Sequence, residues 1–242
     1  MAGSGKSRTF LIFGRDFNEY RKGKIMYIIL AVLLIGAAAC GFGMVSTASG
    51  ANAPVDETGR QIWINILGTI LILYSFLPQM ISIPVFATRP LTYEKANGVA
   101  MSLLATEITP REIWTGKGLA IFVPGAIGSY LGMAIMTPFF LRIIQIPVTI
   151  FLCCYLVMPL AMLLMAIITV QLSMLKNVDL AIAPSYVIGF LLLALFPAGL
   201  QTGLLLPGTL PWTLTCAGIL ILMLIIERIL AAKLTVERII LA

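Results

Sequence analysis

Gly5, Lys6 and Ser7 stand in the order used by phosphate-binding loops. That loop also needs a glycine five positions before Gly5 and a strand leading into it, and the sequence offers neither, so a basic terminus without regular structure is expected here instead. No histidine occurs, and the cysteines Cys40, Cys153, Cys154 and Cys216 all lie inside apolar runs. Such cysteines behave as small hydrophobes, and without a spaced thiolate or imidazole set no metal site is expected. No nucleophile has a base and an orienting partner at a readable spacing, so no catalytic residue is assigned. What remains at depth is mildly polar: Tyr74, Ser75, Gln79 and Ser82, then Ser129 and Tyr130, Tyr155, and Ser185 with Tyr186. Tyr74, Gln79, Ser82, Ser129 and Tyr130 are candidates to line a path for an amphipathic solute, and bonds between helices account for them equally well.

The elements that carry these groups are membrane spans. The chain has 60% hydrophobic and 11% charged residues and a mean hydropathy of +1.04, against about 25% charged in an average soluble domain. Six apolar runs read as spans, the first, of about 20 residues, being enough by itself to cross a hydrocarbon core of about 30 Å. They cover about 25–44, 62–87, 119–141, 148–170, 180–196 and from Trp212 to about Ile226. The expected fold is all-α and integral to the membrane, with residues 1–24 as an inner terminus and 25–242 as one six-span domain. There is no room for a fused nucleotide-binding domain. The net charge of +6 flanks spans and forms no basic stripe, so nucleic acid is not an expected partner.

Before the first span, Phe10, Phe13, Phe17 and Tyr20 recur at helical spacing among basic and acidic residues, predicting an amphipathic surface helix over 8–24. Pro78 and Pro84 should bend the second span. Gly125, Gly128 and Gly132 give the third a small-residue face for close helix approach. Residues 171–179 read as a short inner loop. Pro197 to Pro211 is apolar yet rich in proline and glycine, which predicts a re-entrant or interfacial hairpin. A tail from Lys233 predicts a short surface helix.

Of the 16 lysines and arginines, only Arg60 and Arg142 fall on the outer side when both termini are placed inside. The positive-inside rule then sets the orientation, with both termini cytoplasmic in a multi-pass cell-membrane protein. No Asp, Glu, Lys or Arg stands in the middle of a span, which counts against an ion-coupled carrier or channel.

Between the second and third spans, Thr92 to Lys117 must leave the bilayer. Thr92 should cap a short helix, and Thr109, Pro110 and Glu112 mark a second start: a capping hydroxyl, proline at the first position and a carboxylate three residues after the cap. Within this stretch stand Glu94, Gly98, Leu103-Leu104-Ala105-Thr106, Arg111-Glu112-Ile113 and Gly116-Lys117. In that order and register the segment resembles the coupling loop of type-2 ABC transporter permeases. The family's usual proline after Ala-Thr is Glu107 here, with Pro110 displaced.

The resemblance implies the transmembrane subunit of an ATP-driven exporter with a coupling loop over 88–118 and an N-terminal elbow helix. It implies a second permease copy or paralogue, and a separate ATPase chain that holds ATP and magnesium, this chain binding no cofactor. Glu94, Gly98, Leu103, Leu104, Thr106, Arg111, Glu112, Gly116 and Lys117 would then transmit force. An uncharged path suits an apolar or amphipathic cargo such as a drug, lipid or peptide. A non-transporting immunity or assembly factor of similar fold is the other reading, separated from the first by whether substrate stimulates a partner ATPase.

Overall fold

The computed structural model describes residues 5–50, 57–98, 108–175 and 178–234. Every element among them is helical: α1 (Gly5–Lys22), α2 (Lys24–Gly50), α3 (Glu57–Ala96), α4 (Pro110–Ile143), α5 (Val148–Leu152), a π-helical turn (Cys153–Val157), α6 (Met158–Leu175), α7 (Val178–Gln201) and α8 (Leu210–Lys233). The stretch from α5 to α6 runs as one span, and six helices are long and apolar enough to cross a membrane.

The most apolar windows of α3 and α4 are 61% buried and those of α2 and α8 only 11%. Thus α3, α4 and α6 form the centre, and the other spans turn most of their surface outward, as helices in contact with lipid do. Two apolar clusters stack along the bundle. One joins Leu67, Phe76, Phe140, Phe196 and Trp212, and the other joins Ile83, Trp114, Ile121, Met165 and Met223. Between them, on α3 and α4, lie the buried polar residues Ser75, Gln79, Ser82 and Ser129.

Several boundaries differ from the sequence reading. Gly5, Lys6 and Ser7 form the first turn of α1 instead of an irregular terminus. Thr92 caps nothing: α3 runs through Pro78, Pro84 and Pro90 to Ala96, and the Thr92 hydroxyl donates to the Thr88 carbonyl at 2.7 Å. A proline removes one helical hydrogen bond, and packing of α3 against α4, α6 and α7 outweighs that loss. The break comes at Gly98, whose φ of +64° suits glycine. Gln171 is helical and buried, not part of a loop, since α6 continues to Leu175. Likewise α7 continues through Pro197 to Gln201, and the irregular stretch shrinks to 202–209. There the Leu205 N–H donates to the Gly199 carbonyl at 2.9 Å, and buried Pro207 sits where a side chain on Gly68 would be. The tail beyond Leu234 lies outside the described residues.

The π-helical turn precedes Pro159. A proline has no N–H for the carbonyl four residues back, here Tyr155, and the Tyr130 hydroxyl donates to that carbonyl at 3.0 Å. The glycine face of α4 is used within the chain. A Cβ on Gly125 would lie 2.0 Å from Ser82 Oγ, one on Gly128 would lie 2.9 Å from Leu33, and one on Gly132 would enter the Tyr74 ring. The free thiols of Cys153, Cys154 and Cys216 are buried in the first apolar cluster.

Candidate functional site

At 1.5 Å per residue, 40-residue α3 and 34-residue α4 reach about 60 Å and 51 Å, well beyond a hydrocarbon core of about 30 Å. Their excess length lies at the end where α1 packs, and the chain between them crosses 97–109. At the root of this connection sits a group of four charges. Lys117 is buried, 4% exposed. It donates to both Glu94 carboxylate oxygens at 2.5 Å and to Asp16 Oδ2 at 3.2 Å. Arg15 closes the group, with Nη2 2.8 Å from Asp16 Oδ1 and 3.3 Å from Glu94 Oε1.

Two cations and two carboxylates alternate, so the cluster is neutral as a whole. A buried ammonium costs several kcal/mol unless it is paired and hydrogen-bonded. Lys117 keeps both of its carboxylates only while α1, the end of α3 and the start of α4 stay together. The local sequence explains each placement. Ile12 and Asp16 are buried, with Phe13, Phe17 and Tyr20 half-buried beside them, so Asp16 is a carboxylate within the stripe α1 turns inward. Gly116 lets α1 come close: a Cβ there would lie 2.9 Å from the Thr9 carbonyl oxygen and 3.0 Å from Ile12 Cβ. Glu94 reaches Lys117 because α3 does not stop at Pro90. Burial, together with the carboxylates of Asp16, Glu94 and Glu19, raises the Tyr20 phenol well above its usual range. It stays neutral against Phe86, 5.3 Å between ring centres.

The start of α4 is fixed as the sequence predicts. Thr109 Oγ1 accepts from the Glu112 N–H at 3.3 Å, and Glu112 Oε2 accepts from the Thr109 N–H at 2.9 Å. On the far side of this turn, Gln171 of α6 donates to Glu227 of α8 at 3.2 Å.

Glu94, Gly116 and Lys117 are therefore brought together with α1. Gly98 ends the α3 extension, while Arg111 is exposed and Glu112 is held in the cap. Leu103, Leu104 and Thr106 lie outside the described residues. Of the polar groups at depth, Gln79, Ser82 and Ser129 meet in the α3–α4 seam. Gln79 Nε2 donates to the Ser75 carbonyl at 3.2 Å and lies 3.5 Å from Ser129 Oγ, and Gln79 Oε1 has no partner among the described residues. Tyr74 donates instead to the Leu33 carbonyl on α2, and Tyr130 to Tyr155.

The partners that Arg15, Asp16, Gln171 and Glu227 find are not legible in the sequence. For Asp16 a signal existed: a carboxylate four residues after Ile12 and four before Tyr20, inside an apolar stripe, must find a cation. For Gln171 no local signal distinguishes a buried amide from a helix end.

Chemically, the cluster is a closed set of ion pairs that joins α1, α3 and α4. Among the described residues no three His, Cys, Asp or Glu side chains gather as a metal site. Comparison of the chain with protein-family models, with curated proteins and with solved structures finds no match.

Proposed function

We propose that this chain is the transmembrane subunit of an ATP-driven exporter of the kind its 92–117 segment resembles, the type-2 ABC permeases. The observation that supports the reading best is the buried Glu94–Lys117–Asp16 cluster at the root of the α3–α4 connection. A loop that receives a push from a partner must be rooted in something that does not yield locally. Here the root is two long central helices and α1, held by charges that cannot separate without exposing a buried ammonium. Displacement of 97–109 would move α3 and α4 as units instead of bending the loop. In this reading α1 is the elbow, lying along the inner membrane surface, and 202–209 lies at the outer surface. A second permease copy or paralogue completes the path. ATP and magnesium belong to the ATPase partner, and an apolar or amphipathic cargo fits spans without mid-depth charge.

Orientation is tested by thiol labelling in a Cys40→Ser background, the remaining cysteines being buried. A maleimide that cannot cross the membrane should label Glu57→Cys in intact cells and Asn97→Cys only after permeabilisation. External labelling at 97 would overturn the cytoplasmic placement of the loop.

Coupling is tested at Leu103 and Leu104. If they bury in an apolar groove of the ATPase, replacing both with aspartate places charge there and should weaken association by about a hundredfold or more. The expected result is a folded, inserted permease that no longer co-purifies its ATPase and no longer transports. A double variant that keeps partner and transport would remove 92–117 as the coupling element. Retention of the ATPase by the parent protein, with no substrate-dependent hydrolysis, would favour the assembly-factor reading.

A further inference from the structure

A cleft of about 290 Å³ opens between the first turn of α4 and the last turns of α8, near the lower end of the ~300–1,000 Å³ of small-ligand sites. Pro110, Trp114, Ala231 and Leu234 make its apolar floor, and Arg111 and Arg228 stand at its edge. Arg111 has no ion-pair partner among the described residues. Arg228 reaches its own neighbour Glu227 at 3.6 Å, with its side chain 71% exposed. The Glu227 carboxylate, also at the cleft, is engaged on its other oxygen by Gln171. Trp114, in the floor, is buried and offers the cleft an apolar ring surface. An acceptor-rich anion is what the two guanidiniums at this edge can still bind.

The approach to the cleft identifies the anion's source. Ile221, Leu224 and Arg228 follow one another at helical spacing along α8, the first two exposed. That row is an apolar track ending in a cation, at a helix end where α8 leaves its apolar run. We infer that the cleft holds the phosphate of an anionic phospholipid, with an acyl chain lying along Leu224 and Ile221. The inference needs this end of the bundle at a membrane surface; it does not need transport, so it can fail or hold independently of the exporter reading.

The test is native mass spectrometry of the delipidated full chain, titrated with phosphatidylglycerol or phosphatidylcholine at equal concentration. The parent should retain one phosphatidylglycerol under activation that strips phosphatidylcholine. R111Q/R228Q should lower that retention by about tenfold or more, while K22Q/K24Q, which removes equal charge elsewhere, should leave it unchanged. R228Q alone, at an exposed position, should show part of the loss and guards against misfolding of the double variant. Equal retention in parent and R111Q/R228Q, or no preference between the two lipids, overturns the site. Displacement of phosphatidylglycerol by millimolar inorganic phosphate would mean that a soluble phosphate compound is read there, and a changed oligomeric state in R111Q/R228Q would mean that a second copy covers the cleft; either result overturns the lipid assignment.

Discussion

Lys117→Met should destabilise the purified protein by about 3 kcal/mol, toward the lower end of the cost of breaking a buried ion pair from one side. The substitution keeps most of the apolar stem and removes only the ammonium. Asp16 and Glu94, with side chains 7% and 17% exposed, are then left facing each other, and Arg15 remains as their cation. Because Arg15 is half exposed and already touches both carboxylates, it relieves part of the repulsion, which is why the full penalty is not expected. The decisive control is the combination Asp16→Asn, Glu94→Gln, Lys117→Met. It leaves no buried charge and should recover most of the stability, since neutral replacement of a whole buried group often costs little. Denaturant unfolding in mild detergent, monitored by tryptophan fluorescence, measures both. A Lys117→Met protein as stable as its parent would show that the cluster does not tie α1 to the bundle.

The second large effect is expected at Gly125. A Cβ there falls 2.0 Å from Ser82 Oγ and 2.8 Å from the Gln79 Cα. The serine hydroxyl could rotate away, but the Cα belongs to the backbone of α3, so even a small side chain forces the two central helices apart. Gly125→Val should therefore cost about 3 kcal/mol or more, at or above the top of the usual range for overpacking. It should also disturb the Ser75, Gln79, Ser82 and Ser129 seam, whose contacts need this approach. Gly14→Ala provides the contrast. Gly14 is exposed in α1 and nothing lies within 4 Å of its added Cβ, so alanine there should add about 0.5–1 kcal/mol through helix propensity. Comparable unfolding midpoints for Gly125→Val and the parent would mean that α3 and α4 are not in the contact described.

The two effects have opposite origins. Lys117 holds helices together through a charge that cannot be left alone; Gly125 lets them meet by having no side chain. The sequence announces glycines and lysines equally plainly, but it does not say which neighbour each will meet. Gly128 serves α2 while Gly125 and Gly132 serve α3, although all three stand on one helix within eight residues. An interface between two chains would need the same small-residue pattern, so the pattern alone could not assign it to packing within one chain.

The sequence by itself determined what depends on neighbours a few residues away. Apolar run length fixed the six spans, because transfer of an unbroken apolar stretch from water is a sum over adjacent residues. The α4 start was legible because Thr109, Pro110 and Glu112 satisfy one another within four positions. Tertiary structure decided what depends on partners far along the chain. Prolines 78, 84 and 90 do not end α3, because surrounding helices hold it after single hydrogen bonds are lost. The carbonyl freed by Pro159 is met by Tyr130, 25 residues before its acceptor. Above all, Asp16 reads locally as one more polar residue of a surface helix. It becomes a structural anion only when folding brings it to Lys117, 101 residues away, because a charge is costly or useful according to the dielectric and the counter-charge around it, and neither is a property of the residue's own position in the chain.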